Sequence, residues 1–261
     1  MLQESEIVPY HLSPPLGDKV LVLAPHPDDE TLGCGGTLRL LVESGKSVKV
    51  VFLTSGDKGD PEHPMAVKKH SNDHITDYSL MREKEAVRAL KRLGVSDYEF
   101  LRFPDRALNT HFDAVRERVY AITNEYLPDT IYSPSDIELN PDHRTTAELS
   151  FWIQRRTAPA LAGGEKKLRL VFYEVTTPFR PNMLVDITAV FGRKKRAMKK
   201  YTSQLRLINF IEYITALNTV RALTVKARHV EAFWVMEQPL DDEEKARWLT
   251  YQTAIKTVCS P

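Results

Sequence analysis

Cysteine is scarce in this chain of 261 residues. Only Cys34 and Cys259 are present, far apart in sequence, and no CxxC pair exists. A thiolate zinc site is thereby excluded, and a chain of this length has no need of a disulfide, so two reduced thiols in a cytoplasmic protein are expected. Long apolar runs are also lacking; nothing approaches the roughly 20 residues of a membrane-crossing helix. The N-terminal stretch MLQESEIVPYHLSPPLGDKV has no basic region followed by an apolar one, so no signal peptide is expected either. Charge of one sign is not in excess, with 36 Lys and Arg against 35 Asp and Glu and a formal net charge of +1. That balance argues against a general nucleic-acid binder and against an acidic solvating tail. Repeats, low-complexity segments and an obvious interdomain linker are absent. What is present, 42% hydrophobic and 27% charged residues, suits an ordinary globular chain with a full core.

The apolar pattern alternates between two periods. After an irregular arm over residues 1–17, short apolar runs at 19–24, 48–53, 98–103, 130–133 and 168–175 read as buried strands. Between them, helical spacing is found at 35–43, 80–93, 111–126 and 145–156. Gly45, Gly94 and Pro128 supply the stops. Strand and helix in this rhythm predict an α/β fold, a Rossmann-like three-layer sandwich with a mostly parallel central sheet. Residues 55–78 are polar and rich in His, Asp and Lys, and read as a surface loop of the length often used as a functional lid. After Pro181 the pattern changes to two helices, 190–207 and 208–222, and a last strand at 229–236. The expectation is a single domain over residues 1–261; a separate small domain is the alternative. The basic run Arg193, Lys194, Lys195 and Arg196 reads as a solvated helix face.

Two clusters carry chemistry. The first strand ends in Ala24-Pro25-His26-Pro27-Asp28-Asp29-Glu30, and the fourth leads into Asn140-Pro141-Asp142-His143. In an open α/β sheet, ligands bind beyond the carboxyl ends of strands where strand order reverses, and the first and fourth strands commonly flank that point. A His and an Asp from the first loop with a His from the second make a three-ligand zinc site that leaves a position for water. Asp28 and Asp29 leave the turn in different directions, so one can ligate while the other faces the water as a base. Taken alone, the acidic cluster reads as helix capping and dipole complementarity, and His143 as a surface residue. Together, at the ends of the two expected strands, they point to a metal site.

The HPDDE turn in this strand–turn–helix context resembles the signature of the LmbE-like, PIG-L-type N-acetylglucosaminyl deacetylases, a zinc-dependent family. Further similarity lies in Thr54-Ser55-Gly56, Arg82-Glu83-Lys84-Glu85, Phe103-Pro104-Asp105, Pro141-Asp142-His143, Ser203-Gln204 and Glu231-Ala232-Phe233. The resemblance implies that His26, Asp29 and His143 bind Zn2+ and that Asp28 is the general base. It implies that Arg82 holds a polar group of the substrate, against the plainer reading of a solvated arginine paired with Glu85 at i,i+3. Asp105 would line the sugar pocket, or serve only a turn, and Glu30 would orient the loop. The partner implied is a small amino-sugar substrate, with no nucleic acid, no membrane span and a homo-oligomer left open. One departure stands out: many members carry His where this chain has Asn140. Asn140 can donate a hydrogen bond to an oxyanion but cannot deliver a proton. Proton delivery then falls to Asp28 or to another histidine, with His63, His70, His74 and His111 as candidates.

Two rival readings follow from the residues. A zinc- or sugar-binding relative with weakened catalysis, or an amidase of another N-acyl or thiol conjugate, is motivated by Asn140. A nucleotide-binding domain is motivated by Gly33, Gly35 and Gly36, but the dinucleotide fingerprint needs its glycines at the tight turn itself, where this chain has carboxylates.

Overall fold

A computed structural model describes residues 9, 11–59, 77–157 and 168–239, and residues 241, 243, 244, 246, 248 and 250. Residues 60–76, with His63, His70 and His74, and Cys259 lie outside the described residues. In chain order the elements are β1 (Lys19–Ala24), α1 (Asp29–Glu43), β2 (Ser47–Thr54), α2 (Asp77–Leu93), β3 (Asp97–Phe103), α3 (Phe112–Tyr126), β4 (Thr130–Pro134) and α4 (Pro141–Thr157). They continue with β5 (Arg169–Tyr173), β6 (Met183–Asp186), α5 (Phe191–Met198), α6 (Thr202–Leu205), α7 (Phe210–Val220) and β7 (Val230–Met236).

The seven strands form one sheet in the order β3-β2-β1-β4-β5-β7-β6. The first five are parallel, and β7 runs antiparallel to both neighbours. Strand order reverses between β1 and β4, which opens the crevice expected there. The continuous apolar run of β1 follows from burial on both faces. Val20, Val22 and Ala24 enter the core under α1, α2 and α5, whereas Leu21 and Leu23 enter the core under α3 and α4. Among the described residues, no helix is long and apolar enough to cross a membrane.

Several expected boundaries shift. Helix α1 starts at Asp29 rather than Gly35, and a break at Cys34 (φ −137°, ψ 16°) separates its first turn from the rest. Strand β6, only four residues long, was not expected. The two expected late helices are three, because the chain turns at Tyr201 and again at Asn209. Gly33 and Gly36 after β1 serve close packing: a Cβ would lie 2.1 Å from the Tyr173 ring at the first and 2.7 Å from Ile187 at the second.

Lys194 corrects the solvated-face expectation. Its side chain is fully buried, with Nζ 2.7 Å from Glu231 Oε1 and 3.1 Å from Asn218 Oδ1. Glu231 in turn accepts the Gly36 and Thr37 N–H groups at 2.8 and 2.7 Å, capping α1 just beyond its break. Removing one member of a buried pair strands the other charge, so Lys194→Ala is expected to destabilise the fold by about 3–5 kcal/mol. Equilibrium urea unfolding reads this; a loss below about 1 kcal/mol, the level of a surface pair, would contradict it.

Candidate metal centre

Strand β1 delivers the HPDDE turn directly over the crevice. The turn is tied down where it leaves the sheet, because Pro25 O accepts both Thr54 N (3.0 Å) and Thr54 Oγ1 (2.9 Å) from the end of β2. Asp29 folds back beneath it, and its Oδ2 accepts the His26 N–H at 2.8 Å. Asp28 is forced to φ 130°, ψ −27°, a conformation that costs a residue with a Cβ about 1–3 kcal/mol. Its carbonyl accepts Thr31 N and Leu32 N at 3.0 and 2.9 Å, Glu30 Oε2 accepts its N–H at 3.2 Å, and Arg82 Nη2 reaches its Oδ2 at 3.1 Å.

The N-terminus of α4 brings His143 across from β4. Three donor atoms then converge. His26 Nδ1 and Asp29 Oδ2 are 3.1 Å apart, His143 Nε2 and Asp29 Oδ2 3.2 Å, and His143 Nε2 and His26 Nδ1 3.3 Å. All three residues are buried and form a candidate metal-holding group. Tetrahedral N and O ligands at about 2.0–2.1 Å from zinc stand about 3.3 Å from one another, so the donor set fits such an ion.

A second layer lies behind these residues. His26 Nε2 faces Asp105 Oδ1 at 3.1 Å and Asp142 Oδ2 at 3.3 Å. This trio also has the composition of a metal group. Its carboxylates are already engaged by backbone donors, Lys58 N on Asp105 (2.9 Å) and Arg106 N and Leu108 N on Asp142 (2.7 and 3.1 Å). They therefore act as hydrogen-bond support that fixes the His26 ring and leaves Nδ1 as the edge facing Asp29 and His143. His143 has a comparable neighbour: Glu138 Oε2 is 3.7 Å from its Nδ1, and Glu138 is held by the N–H groups of Val175, Thr176 and Thr177.

The electrostatics follow from burial and crowding. Burial pushes the Asp28 carboxyl up; Arg82 pulls it back and Asp29 pushes again, leaving it at about 7. Burial also raises Glu30 to about 7 against the hydroxyls of Thr31 and Tyr201. For Asp29 burial is outweighed by His143 and His26, which hold it far below the usual carboxylate range. For His143 burial disfavours the charged ring, but Asp29 and Glu138 outweigh it and raise the pKa to about 9. Adjacent carboxylates are thus driven in opposite directions, the pattern that separates a ligand from a base.

The sequence-predicted residues are placed as follows. His26, Asp29 and His143 come together, with Asp28 beside them. Arg82 is buried, not solvated, and its guanidinium binds Pro27 O (2.6 Å), Gly56 O (2.9 Å) and Asp28, while Glu85 bonds elsewhere. Asp105 stands behind His26. Asn140 caps α4, its Oδ1 accepting Asp142 N at 2.9 Å, which leaves its amide nitrogen as the donor end. His111 sits exposed at the start of α3 and is in neither candidate metal group. Sequence reasoning passed over Asp142 and Glu138. Asp142 was inside the PDH motif, but nothing local says that its carboxylate turns inward; Glu138 carries no motif.

Gly56 (φ 63°) gives Arg82 its room. A Cβ there would lie 1.9 Å from Nη1, so Gly56→Ala is expected to expel the guanidinium from Asp28. Loss of roughly 1–3 kcal/mol of stability, together with reduced turnover of any reaction that uses Asp28, is the expected outcome. Unchanged melting and kinetics would show that the contact is dispensable.

Comparison with known proteins gives the family and the fold. The family model described as PIG-L, GlcNAc-PI de-N-acetylase, matches residues 21–152. A protein of Bacillus cereus named as a probable N-acetyl-alpha-D-glucosaminyl L-malate deacetylase 2 is 29% identical over 225 residues, 82% of this chain and 96% of that one. The diacetylchitobiose deacetylase of Thermococcus kodakarensis is 29% identical over 208 residues, 75% of this chain and 74% of its own. Among solved structures, the N,N'-diacetylchitobiose deacetylase of Pyrococcus horikoshii superposes with a TM-score of 0.70 at 24% identity, covering 92% of this chain and 94% of that one. That last likeness speaks for the fold.

Proposed function

The chain belongs to the PIG-L, GlcNAc-PI de-N-acetylase, family, and from that premise we propose that it is a zinc-dependent hydrolase that removes the acetyl group from an N-acetylated amino sugar or its conjugate. The observation that carries the reading is the convergence of His26 Nδ1, Asp29 Oδ2 and His143 Nε2 within 3.1–3.3 Å, beside the Asp28 carboxyl at about 7. The named activities of the Bacillus and Thermococcus relatives support the substrate class.

His26, Asp29 and His143 would hold the zinc, which would supply Lewis-acid activation of water and of the amide carbonyl oxygen. Arg82 fixes Asp28 Oδ2, so Oδ1 takes the proton as the water attacks the carbonyl carbon. With Oδ1 of Asn140 engaged by the helix, its amide nitrogen is the end that would donate to the developing oxyanion. The C–N bond then breaks, Asp28 returns the proton to the leaving nitrogen, and acetate and a free amine result. We assign Asp28 this second task because His26 and His143 are committed to the metal; His63, His70 and His74 lie outside the described residues. Burial raises the Asp28 carboxyl from its ordinary value, the direction that favours a group that both takes and returns a proton. The same reading takes the enzyme as cytoplasmic, in keeping with the buried free thiol of Cys34, and acting on a small molecule.

The test is a panel of N-acetylated amino sugars and their conjugates, with longer acyl groups and thiol conjugates included, read for acid and free amine. Equal amounts of acetate and amine from an N-acetyl sugar support the proposal. Cleavage confined to other acyl amides would replace it by the broader amidase reading. Asn140 keeps a weakened enzyme in view. If the wild type is slow, Asn140→His restores an acid at this position and is expected to raise turnover.

A further inference from the structure

The motif Ser203-Gln204 lies outside the segment matched by the family model, and neither residue reaches the metal-holding group. Both are nonetheless buried. A buried polar side chain is retained at a cost in desolvation unless its bonds are satisfied, so the bonds made here indicate what the turn is for.

Three chains of hydrogen bonds leave this one turn, and each ends on an element that holds Asp28 or Arg82. Tyr201, fully buried, donates from its hydroxyl to Glu30 Oε1 at 2.5 Å, and the other oxygen of Glu30 accepts the Asp28 N–H. Thr202 Oγ1 (2.5 Å), Ser203 N (2.9 Å) and Ser203 Oγ (2.6 Å) all donate to Glu85, one helical turn beyond Arg82 on α2. Gln204 Nε2 donates to the Tyr78 hydroxyl at 2.8 Å, which donates to Gly59 O at 2.7 Å. Gly59 N closes on Gly56 O at 3.2 Å, the same carbonyl that receives Arg82 Nη1. The HPDDE turn, helix α2 and the loop after β2 are thereby referenced to a single point of the chain. Asp28 needs such a reference, since its φ of 130° is not self-maintaining.

We propose that the Tyr201–Gln204 turn is a positioning device for the Asp28–Arg82 pair, with Tyr201 acting through Glu30 and Gln204 through Tyr78. The inference rests on the reading of Asp28 as the base. Neither Tyr201 nor Gln204 touches substrate; they set where the proton acceptor stands. Small misplacements of a reacting group cost rate rather than binding.

The test uses the full chain loaded with zinc, as Tyr201→Phe, Gln204→Ala and, for comparison, Tyr132→Phe. Tyr132 is another fully buried tyrosine whose hydroxyl bonds the N-terminal arm at Leu16. Tyr201→Phe and Gln204→Ala are expected to lower kcat by about 10- to 100-fold, with KM and bound zinc unchanged. Tyr132→Phe is expected to lower the melting temperature alone. Tyr201→Phe combined with Glu30→Gln should lose less than the product of the two single losses, since both act through one path. A second readout does not depend on turnover: hydrogen exchange at the Asp28 amide should accelerate in Tyr201→Phe while the amides of α4 keep their protection. If Tyr201→Phe and Gln204→Ala melt lower but keep kcat, and Asp28 exchange rises only in step with the whole chain, the turn is structural support and the proposal is overturned. If wild type shows no Asp28-dependent hydrolysis, the functional reading fails, and the Asp28 exchange alone decides the positioning role.

Discussion

Asp28→Asn is expected to lower kcat by about 10²–10⁴-fold, the range carried by a single general acid–base group, while zinc stays bound. The substitution keeps size and the possibility of a contact with Arg82, but the side chain can no longer accept and return a proton. Arg82 holds Oδ2 at 3.1 Å, so in the proposed mechanism the remaining oxygen carries the proton, and an amide has only one oxygen for both tasks. Because Asp28 lies outside the donor trio, metal content separates the two failures: loss of turnover with full zinc indicts the base, and loss of both indicts the turn. Kinetics with zinc quantified per chain provides the check. A variant that keeps turnover within a few-fold of wild type would remove Asp28 from the chemistry.

Stripping the metal is the second large effect. The donor trio crowds two imidazoles and a carboxylate into buried space, so an ion that binds only the folded chain stabilises it by about 2.7 kcal/mol at a hundred times its dissociation constant. For a chain of this size that is a melting shift of roughly 5–10 °C. His143→Ala should abolish the shift and the activity together. The metal-free protein also gains a pH dependence. The folded pKa of His143 is raised to about 9 from 6.5, so its pairing with Asp29 contributes stability fully below 6.5. That contribution is lost as pH rises through 9. Zinc must displace the proton, so stabilisation by zinc grows over that same window. Differential scanning of apo and zinc-loaded protein from pH 6 to 9 measures it. A zinc shift that is flat with pH and survives His143→Ala would contradict this ligand set.

How much of this could be read from the chain depends on distance along it. The five parallel strands were legible because burial on both faces writes an unbroken apolar run, as in the residues of β1. Helix α2 was legible because Ala86, Ala89, Leu90 and Leu93 share one face. Strand β6 was not, since Met183–Asp186 is too short to show a period and gains its place by pairing with β7. The HPDDE turn could be read because His26 and Asp29 are three residues apart, and His143 because α4 begins where β4 ends. Lys194 misled because a charged residue in a basic run gives no sign of a buried glutamate 37 positions later. Asp105 is a similar case: its turn was recognised, but not that the carboxylate faces the back of His26. Arg82 was read as reaching the site, yet its grip on two backbone carbonyls depends on the missing side chain of Gly56. Such features are settled by tertiary packing, which no local pattern records.

The most direct measurement is acetate release as zinc is titrated into metal-free protein, with Asp28→Asn in parallel. Activity that rises in proportion to zinc, reaches its plateau at one ion per chain and is absent from Asp28→Asn is the predicted result. Hydrolysis by metal-free protein that added zinc does not change, or a plateau that needs a second ion on Asp105 and Asp142, would contradict a single catalytic metal held by His26, Asp29 and His143.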